Sequence, residues 1–223
     1  MSEEETTEAR SDDGEAIDWP LLATEDGFRR CRRVFLGLVL TLLSIRLGSD
    51  EISVDLIPDW AGWWLVASAL AGWREVHARI PGLVTLARAS CALAFVGWIS
   101  LPRLAAEPIF LVGGTVFGIV TTVVLCLFVW NFCAVVVRAA GDTEEERLRE
   151  RADLCRRIAL VSLVVAWLLP IPLHFGETLH PVTVIAVFAL GLFAYAYFLV
   201  IVWAFGTLIR RVLDAMAARE SSA

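Results

Sequence analysis

The sequence predicts an all-α, polytopic membrane protein with about six transmembrane helices, and three observations support this fold class. First, 58% of its 223 residues are hydrophobic and 20% are charged, with a mean hydropathy of +0.69, whereas a soluble domain is about half apolar and a quarter charged. Second, the apolar residues form long uncharged blocks, such as Pro108 to Val137, that exceed the roughly 20 helical residues needed to cross a hydrocarbon core. Third, the arginines lie between these blocks.

The apolar blocks divide the chain into a membrane domain, residues 28–211, and two tails. The predicted spans cover residues 34–47, 58–76, 83–101, 109–137, 158–173 and 182–209. Residues 1–27 are acidic and poor in large apolar side chains, so they predict a disordered cytoplasmic tail. Residues 141–157 predict a cytoplasmic helical loop, residues 48–55 a polar turn, and residues 212–223 a cytoplasmic C-terminal tail.

The distribution of arginine predicts the orientation of these spans. The chain has 19 basic residues, and all of them are arginine. With a cytoplasmic N-terminus, nearly all arginines next to the spans fall on the inner side, and only Arg46 and Arg103 fall on the outer side. Because positive residues are retained in the cytoplasm, this bias predicts that both termini are cytoplasmic. The expected location is the inner membrane of a bacterial cell.

The hairpin between the first two spans has the most distinctive polar residues. It contains Arg46, Asp55 and Asp59, and Pro58 and Asp59 suit the first turn of a helix. Ionisable groups near a membrane boundary are candidates for a substrate or ion contact. The alternative is structural: the proline and aspartate start the second helix, the arginine extends to the headgroups, and together they set the hairpin register.

The start of the second span also carries a short motif, Leu56-Ile57-Pro58-Asp59-Trp60-Ala61-Gly62-Trp63. It resembles an uncharacterised family of bacterial polytopic membrane proteins in which an apolar residue, proline, aspartate, an aromatic, any residue, glycine and an aromatic open the second span. The resemblance covers about residues 34–88. It implies a bacterial cell-membrane protein without an established activity.

A weak metal-site hypothesis concerns the predicted loop between spans five and six. His174, Glu177 and His180 are spaced by three residues, so a helical turn would place their nitrogen and oxygen donors on one face. Pro172 and Gly176 interrupt such a turn, and an ordinary polar loop is the favoured interpretation.

Small and polar residues within the spans predict helix packing. Ser68 and Gly72 form one pair spaced by four, and Gly114 and Gly118 form a GxxxG in the fourth span. Such pairs allow close approach of helices within one chain or between two. Asn131, deep in the fourth span, predicts an interhelical hydrogen bond, with a contact to a solute as the alternative.

No motif for nucleotide binding or zinc-protease chemistry occurs in the sequence, and the five cysteines form no CxxC pair. The favoured function is therefore a structural, interaction or accessory role in the cell membrane. A small-solute transporter or channel is the alternative, and an enzyme acting at the outer leaflet boundary is the second. The expected partners are the lipid bilayer and either another membrane protein or a second copy of the chain; neither a cofactor nor a nucleic acid is expected.

Overall fold

A computed structural model describes residues 16–43, 46–49, 52–55, 58–99, 108–168 and 181–222. Within these residues the chain is helical apart from one short antiparallel hairpin. The elements are α1 (Trp19–Leu22), α2 (Glu25–Leu42), β1 (Arg46–Ser49), β2 (Ile52–Asp55), α3 (Asp59–Ala71), α4 (Ile80–Ile99), α5 (Pro108–Asp142), α6 (Glu146–Leu168) and α7 (Pro181–Glu220). The helical fold class is thus confirmed, and the polar turn predicted at residues 48–55 is largely a β hairpin.

Three helices are long and apolar enough to cross a membrane, which indicates a membrane protein. The qualifying segments are Ile80–Gly97 in α4, Val116–Asp142 in α5 and Ala189–Glu220 in α7. The other long helices do not meet the same criterion. α3 has 13 residues, or about 20 Å of helix at 1.5 Å per residue, which is less than the roughly 30 Å of a hydrocarbon core. A count of six spans therefore remains a prediction.

The six longer helices form a closed ring. α2 packs on α3, α3 on α4, α4 on α5, α5 on α6, and α6 on α7, and α7 returns to contact α2. Consecutive helices are therefore neighbours in space, as short connections favour. The ring encloses one hydrophobic core, to which every one of these helices contributes buried side chains.

The prediction of a disordered tail is wrong for residues 16–27. Ile17, Leu22 and Ala23 are buried in the core, at 5%, 1% and 3% exposure. The backbone amide of Asp18 donates to the carbonyl oxygen of Val76 at 3.1 Å, and the Thr24 hydroxyl accepts from the amide of Gly27 at 2.9 Å to cap α2. Three buried apolar residues and a helix cap are enough to dock this short segment, although the acidic composition before it predicts disorder.

Several predicted boundaries also move. α2 ends at Leu42, not at residue 47, and α3 ends at Ala71, before a series of turns. α5 continues past residue 137 to Asp142, because backbone hydrogen bonding does not stop where apolar composition does. The predicted loop at residues 141–157 contains the end of α5, a turn in which Glu144 has φ of 58°, and the start of α6. The predicted ends at residues 101 and 173 lie outside the described residues.

We expect Leu22→Ala to release the docked segment of residues 16–27. The substitution leaves a cavity at a fully buried position, which typically costs about 2–5 kcal/mol. Hydrogen exchange in detergent should then show faster exchange at Asp18, whose amide depends on the docking. Leu21→Ala is the matched control, since Leu21 is 46% exposed one residue earlier. Equal exchange in the two variants would contradict the docking.

Candidate functional site

The first helical pair, α2 and α3, crosses at two glycines that the sequence analysis did not select. A Cβ added to Gly37 would lie 2.7 Å from the carbonyl oxygen of Gly62, and one added to Gly62 would lie 2.5 Å from that of Gly37. Real Cβ atoms do not approach oxygen so closely, so the two backbones touch where neither residue has a side chain. This is the small-residue contact expected of membrane helices, located at a different place from the predicted one.

Gly62 belongs to the motif that opens the second helix, and its neighbours contact the other helices. Pro58 is the N-cap of α3, and Asp59 lies in its first turn. The Trp60 ring lies edge-on to Phe95 of α4, with centroids 5.9 Å apart. The Trp63 ring meets Phe128 of α5 at 5.2 Å. In this motif Trp60 contacts α4, Gly62 contacts α2 and Trp63 packs in the core.

α2 is held from its other side by α7. The Tyr195 hydroxyl donates to the carbonyl oxygen of Leu38 at 3.0 Å and is hydrogen-bonded to the hydroxyl of Thr41. Further along the same face, the thiol of Cys31 donates to the carbonyl oxygen of Val202 at 3.6 Å. α2 is therefore fixed between α3 and α7 by backbone contact on one face and by side-chain hydrogen bonds on the other.

Aromatic rings from α3, α5, α7 and the turn after α3 fill the centre of the ring of helices. Each member of this aromatic cluster is at most 8% exposed: Trp63, Trp73, Phe128, Phe132, Phe198 and Phe205. Phe132 is edge-on to Phe198 at 5.5 Å and to Phe205 at 6.0 Å, and Phe205 continues to Trp73 at 6.3 Å. Edge-to-face pairs of this kind contribute about 0.5–1.5 kcal/mol each beyond the area they bury.

The structure brings two of the predicted contact residues opposite each other. In the antiparallel ladder Arg46 pairs with Asp55 and Ser49 pairs with Ile52. Asp59 lies in the first turn of α3, beyond the end of β2. The functional interpretation of Arg46, Asp55 and Asp59, a substrate or ion contact, and the structural one, in which they set the hairpin register, both stay predictions.

Asn131 is bonded within its own helix. Its side-chain amide donates to the carbonyl oxygen of Leu127 at 2.8 Å, one turn earlier in α5. The structure therefore has an intrahelical hydrogen bond where an interhelical one is predicted. The reason is that the carbonyl group four residues earlier is the nearest acceptor for a side-chain amide on a helix.

Of the predicted small-residue pairs, Ser68 and Gly118 do not lie at close helix contacts in the described chain. Ser68 is exposed and donates to the carbonyl oxygen of Leu65 at 2.8 Å. Gly72 ends α3, and the guanidinium of Arg30 occupies the space that a Cβ would take. Gly118 faces open space, with nothing within 4 Å of an added Cβ, while the surroundings of Gly114 lie outside the described side chains.

The predicted metal ligands His174, Glu177 and His180 lie outside the described residues. In the part of the chain that the structure describes, no group of three histidine, cysteine, aspartate or glutamate residues could hold a metal ion. The metal hypothesis therefore remains a prediction for that loop.

A second feature missed by sequence reasoning is a polar cavity at the end of the bundle opposite the hairpin. It lies between the turn after α3, the last turns of α5 and the first half of α6, and four arginines line it. In the sequence these arginines count only toward orientation. Their convergence depends on which helices are neighbours, and the sequence contains no local signal for that.

Comparison with family models, with curated proteins and with solved structures gives no match for this chain.

We expect Gly62→Ala to separate α2 from α3. The added methyl group would collide with backbone, which cannot yield as a flexible side chain can, so the cost should be about 1–3 kcal/mol or more. The change in stability is measured as the thermal midpoint of the purified protein in detergent. The midpoint is the temperature at which half of the monodisperse peak is lost. Gly191→Ala on α7 is the control, because nothing lies within 4 Å of its added Cβ. Equal midpoints for the two variants would contradict the glycine contact.

Proposed function

We propose that this chain is a six-span protein of the bacterial inner membrane, with both termini in the cytoplasm, and that it has a structural, interaction or accessory role there. The resemblance of residues 34–88 to the uncharacterised bacterial family supports this role. The observation that carries the functional part is the aromatic cluster, since it fills the centre of the described bundle with packed rings.

Ion pairs between helix ends support the proposed orientation. Arg210 near the end of α7 contacts Glu25 at the start of α2, with nitrogen and oxygen 2.6 Å apart. The neighbouring Arg211 contacts Glu145, just before α6, at 2.7 Å. The start of α2, the connection between α5 and α6 and the end of α7 therefore meet at one end of the bundle. This agrees with an N-terminus and a C-terminus on the same, arginine-rich side.

Because the centre of the bundle is packed, a partner would bind on its outer surface. On the first half of α5, Gly118 is exposed, and its side-chain position is open. In lipid, an open glycine allows a second helix to come close and gain van der Waals contact. We therefore place the contact with another membrane protein, or with a second copy of this chain, on this face of α5.

The alternatives have less support. A transporter or channel lined by Arg46, Asp59 and Asn131 would need their polar groups to share a path, but the Asn131 amide is bonded to its own helix. An enzyme at the outer leaflet boundary would need either Arg46, Asp55 and Asp59 or the loop from His174 to His180 as its site. In the described residues Arg46 and Asp55 are opposite each other in the ladder, and the loop lies outside them.

Reporter fusions test the topology. We expect a fluorescent protein fused after Ala223 to be bright and alkaline phosphatase at the same position to be inactive, since arginines retain this end in the cytoplasm. Fusions after Asp55, in the hairpin, should give the reverse pattern. Phosphatase activity after Ala223 would contradict the orientation.

Photocrosslinking tests the interaction role. With benzoylphenylalanine in place of Gly118, we expect irradiation of producing cells to give one discrete protein adduct, whose mass separates a second copy of the chain from another partner. The control position is Val200 on α7, which is 51% exposed and should give no discrete protein adduct. Absence of an adduct at position 118, or the same adducts at both positions, would contradict the proposed contact face.

A further inference from the structure

The polar cavity at the arginine-rich end has the size and lining of a ligand site. Its volume is about 430 Å³, within the roughly 300–1,000 Å³ of small-molecule pockets. Three segments converge on it, and their ionisable side chains are His77, Arg79, Arg138, Asp142, Arg149 and Arg156. Four guanidinium groups thus surround a space that contains one carboxylate, so the cavity has a clear excess of positive charge.

The carboxylates near these arginines are too far away to accept good hydrogen bonds. The shortest nitrogen-to-oxygen distance is 3.8 Å from Arg138 to Asp142, 3.7 Å from Arg149 to Glu146 and 3.6 Å from Arg156 to Asp153. Hydrogen bonds between charged groups are typically about 2.7–2.9 Å long. Within the described residues, Arg79 has no carboxylate within 4 Å.

Four arginines outside the cavity are paired at shorter distances. Arg30 pairs with Asp26 at 2.6 Å, and Arg157 pairs with Asp153 at 2.9 Å. Arg210 and Arg211 make equally short contacts with Glu25 and Glu145. These four guanidinium groups therefore have a carboxylate at hydrogen-bonding distance, while those of the cavity keep N–H groups available.

Arg156 is held in place for such a role. Its guanidinium carbon lies 4.0 Å from the centroid of the Trp130 ring, a cation–π distance that fixes the plane of the group. Its side chain is 22% exposed, and its Nε is buried with no hydrogen-bond partner among the described residues. A buried N–H without an acceptor is costly, so an added acceptor in the cavity would relieve that cost.

His77 is held within the turn after α3. It is 6% exposed, and its Nδ1 accepts a hydrogen bond from the backbone amide of Arg79 at 3.1 Å. This local bond positions the backbone of Arg79, which also lines the cavity.

We propose that this cavity binds a phosphate group. To keep a loop in the cytoplasm, positive charges need only lie near the membrane boundary. That requirement does not explain why four arginines from three segments line one cavity. Planar guanidinium groups suit the oxygens of a tetrahedral oxyanion, and basic pockets between helices at this side of a membrane suit anionic headgroups. The phosphate has two possible sources, the headgroup of an anionic phospholipid or a free phosphate compound.

Asp142 should oppose phosphate binding. This carboxylate lies in the cavity beside Arg138 and would repel a bound phosphate. Neutralising it removes that repulsion and releases Arg138, so Asp142→Asn should bind phosphate more tightly than the natural chain. A cavity whose charges only stabilise the fold would not respond in this direction.

The experiment compares Arg156→Gln with Arg157→Gln. Both substitutions remove one charge from adjacent residues of α6, but Arg157 is 76% exposed, is paired with Asp153 and does not line the cavity. Full-length protein in neutral detergent is titrated with inorganic pyrophosphate by calorimetry. In the second arm, native mass spectrometry counts phosphatidylglycerol and cardiolipin retained against phosphatidylcholine.

We expect Arg156→Gln to weaken binding about tenfold or more, as loss of charge-assisted hydrogen bonds implies, and Arg157→Gln to leave it nearly unchanged. Retention of anionic lipid without pyrophosphate binding identifies the headgroup as the source, and pyrophosphate binding identifies a free phosphate compound. Equal weakening in both variants, or no binding in either arm, overturns the proposal. If Arg156→Gln does not fold, Arg149→Gln, at a 54% exposed side chain, replaces it. The lipid arm assumes the proposed membrane insertion, which the reporter fusions measure separately.

Discussion

The backbone contact between Gly37 and Gly62 is the constraint on which the described bundle depends. Because neither residue has a side chain, α2 and α3 approach until each glycine's Cβ position lies against the other's carbonyl group. This approach fixes α3 so that Trp60 meets α4 and Trp63 meets α5, and it leaves the opposite face of α2 to Tyr195 of α7. One steric feature therefore orients contacts with three other helices.

Packing of this kind matters more in lipid than in water. Lipid tails are as apolar as leucine side chains, so burial of apolar area between helices provides little net driving force there. Close backbone approach, ring-to-ring contacts and hydrogen bonds must supply the specificity instead. The glycine crossing, the edge-to-face pairs around Phe132 and the bond from Tyr195 to Leu38 are examples of each. A centre filled in this way leaves the helix surfaces and the ends of the bundle available for function.

Arginine has two different arrangements at one end of the bundle. Arg210 and Arg211 are paired at hydrogen-bonding distance with Glu25 and Glu145, and these two pairs join α7 to the start of α2 and to the connection before α6. Around the polar cavity the nearest carboxylates are about 1 Å more distant, as for Arg138 and Asp142. The first arrangement fixes the helix ends, and the second leaves donors for an anion. The count of arginines, which predicts orientation, does not distinguish the two.

The sequence by itself determined the helical class, most of the longer helices and the concentration of arginine between them. Long apolar blocks and local charge can be read from the sequence without knowing which helices are neighbours in space. The sequence placed Arg46 and Asp55 in one hairpin but did not predict its strands, and it missed the docking of Ile17 and Leu22. Only the tertiary structure decided that Gly37 and Gly62 touch, while Gly118 stays open, and that Arg79, Arg138, Arg149 and Arg156 share one cavity. The reason is physical: helices that are apolar on all sides carry no periodic signal for the face that packs, so helix adjacency depends on the shapes of whole surfaces.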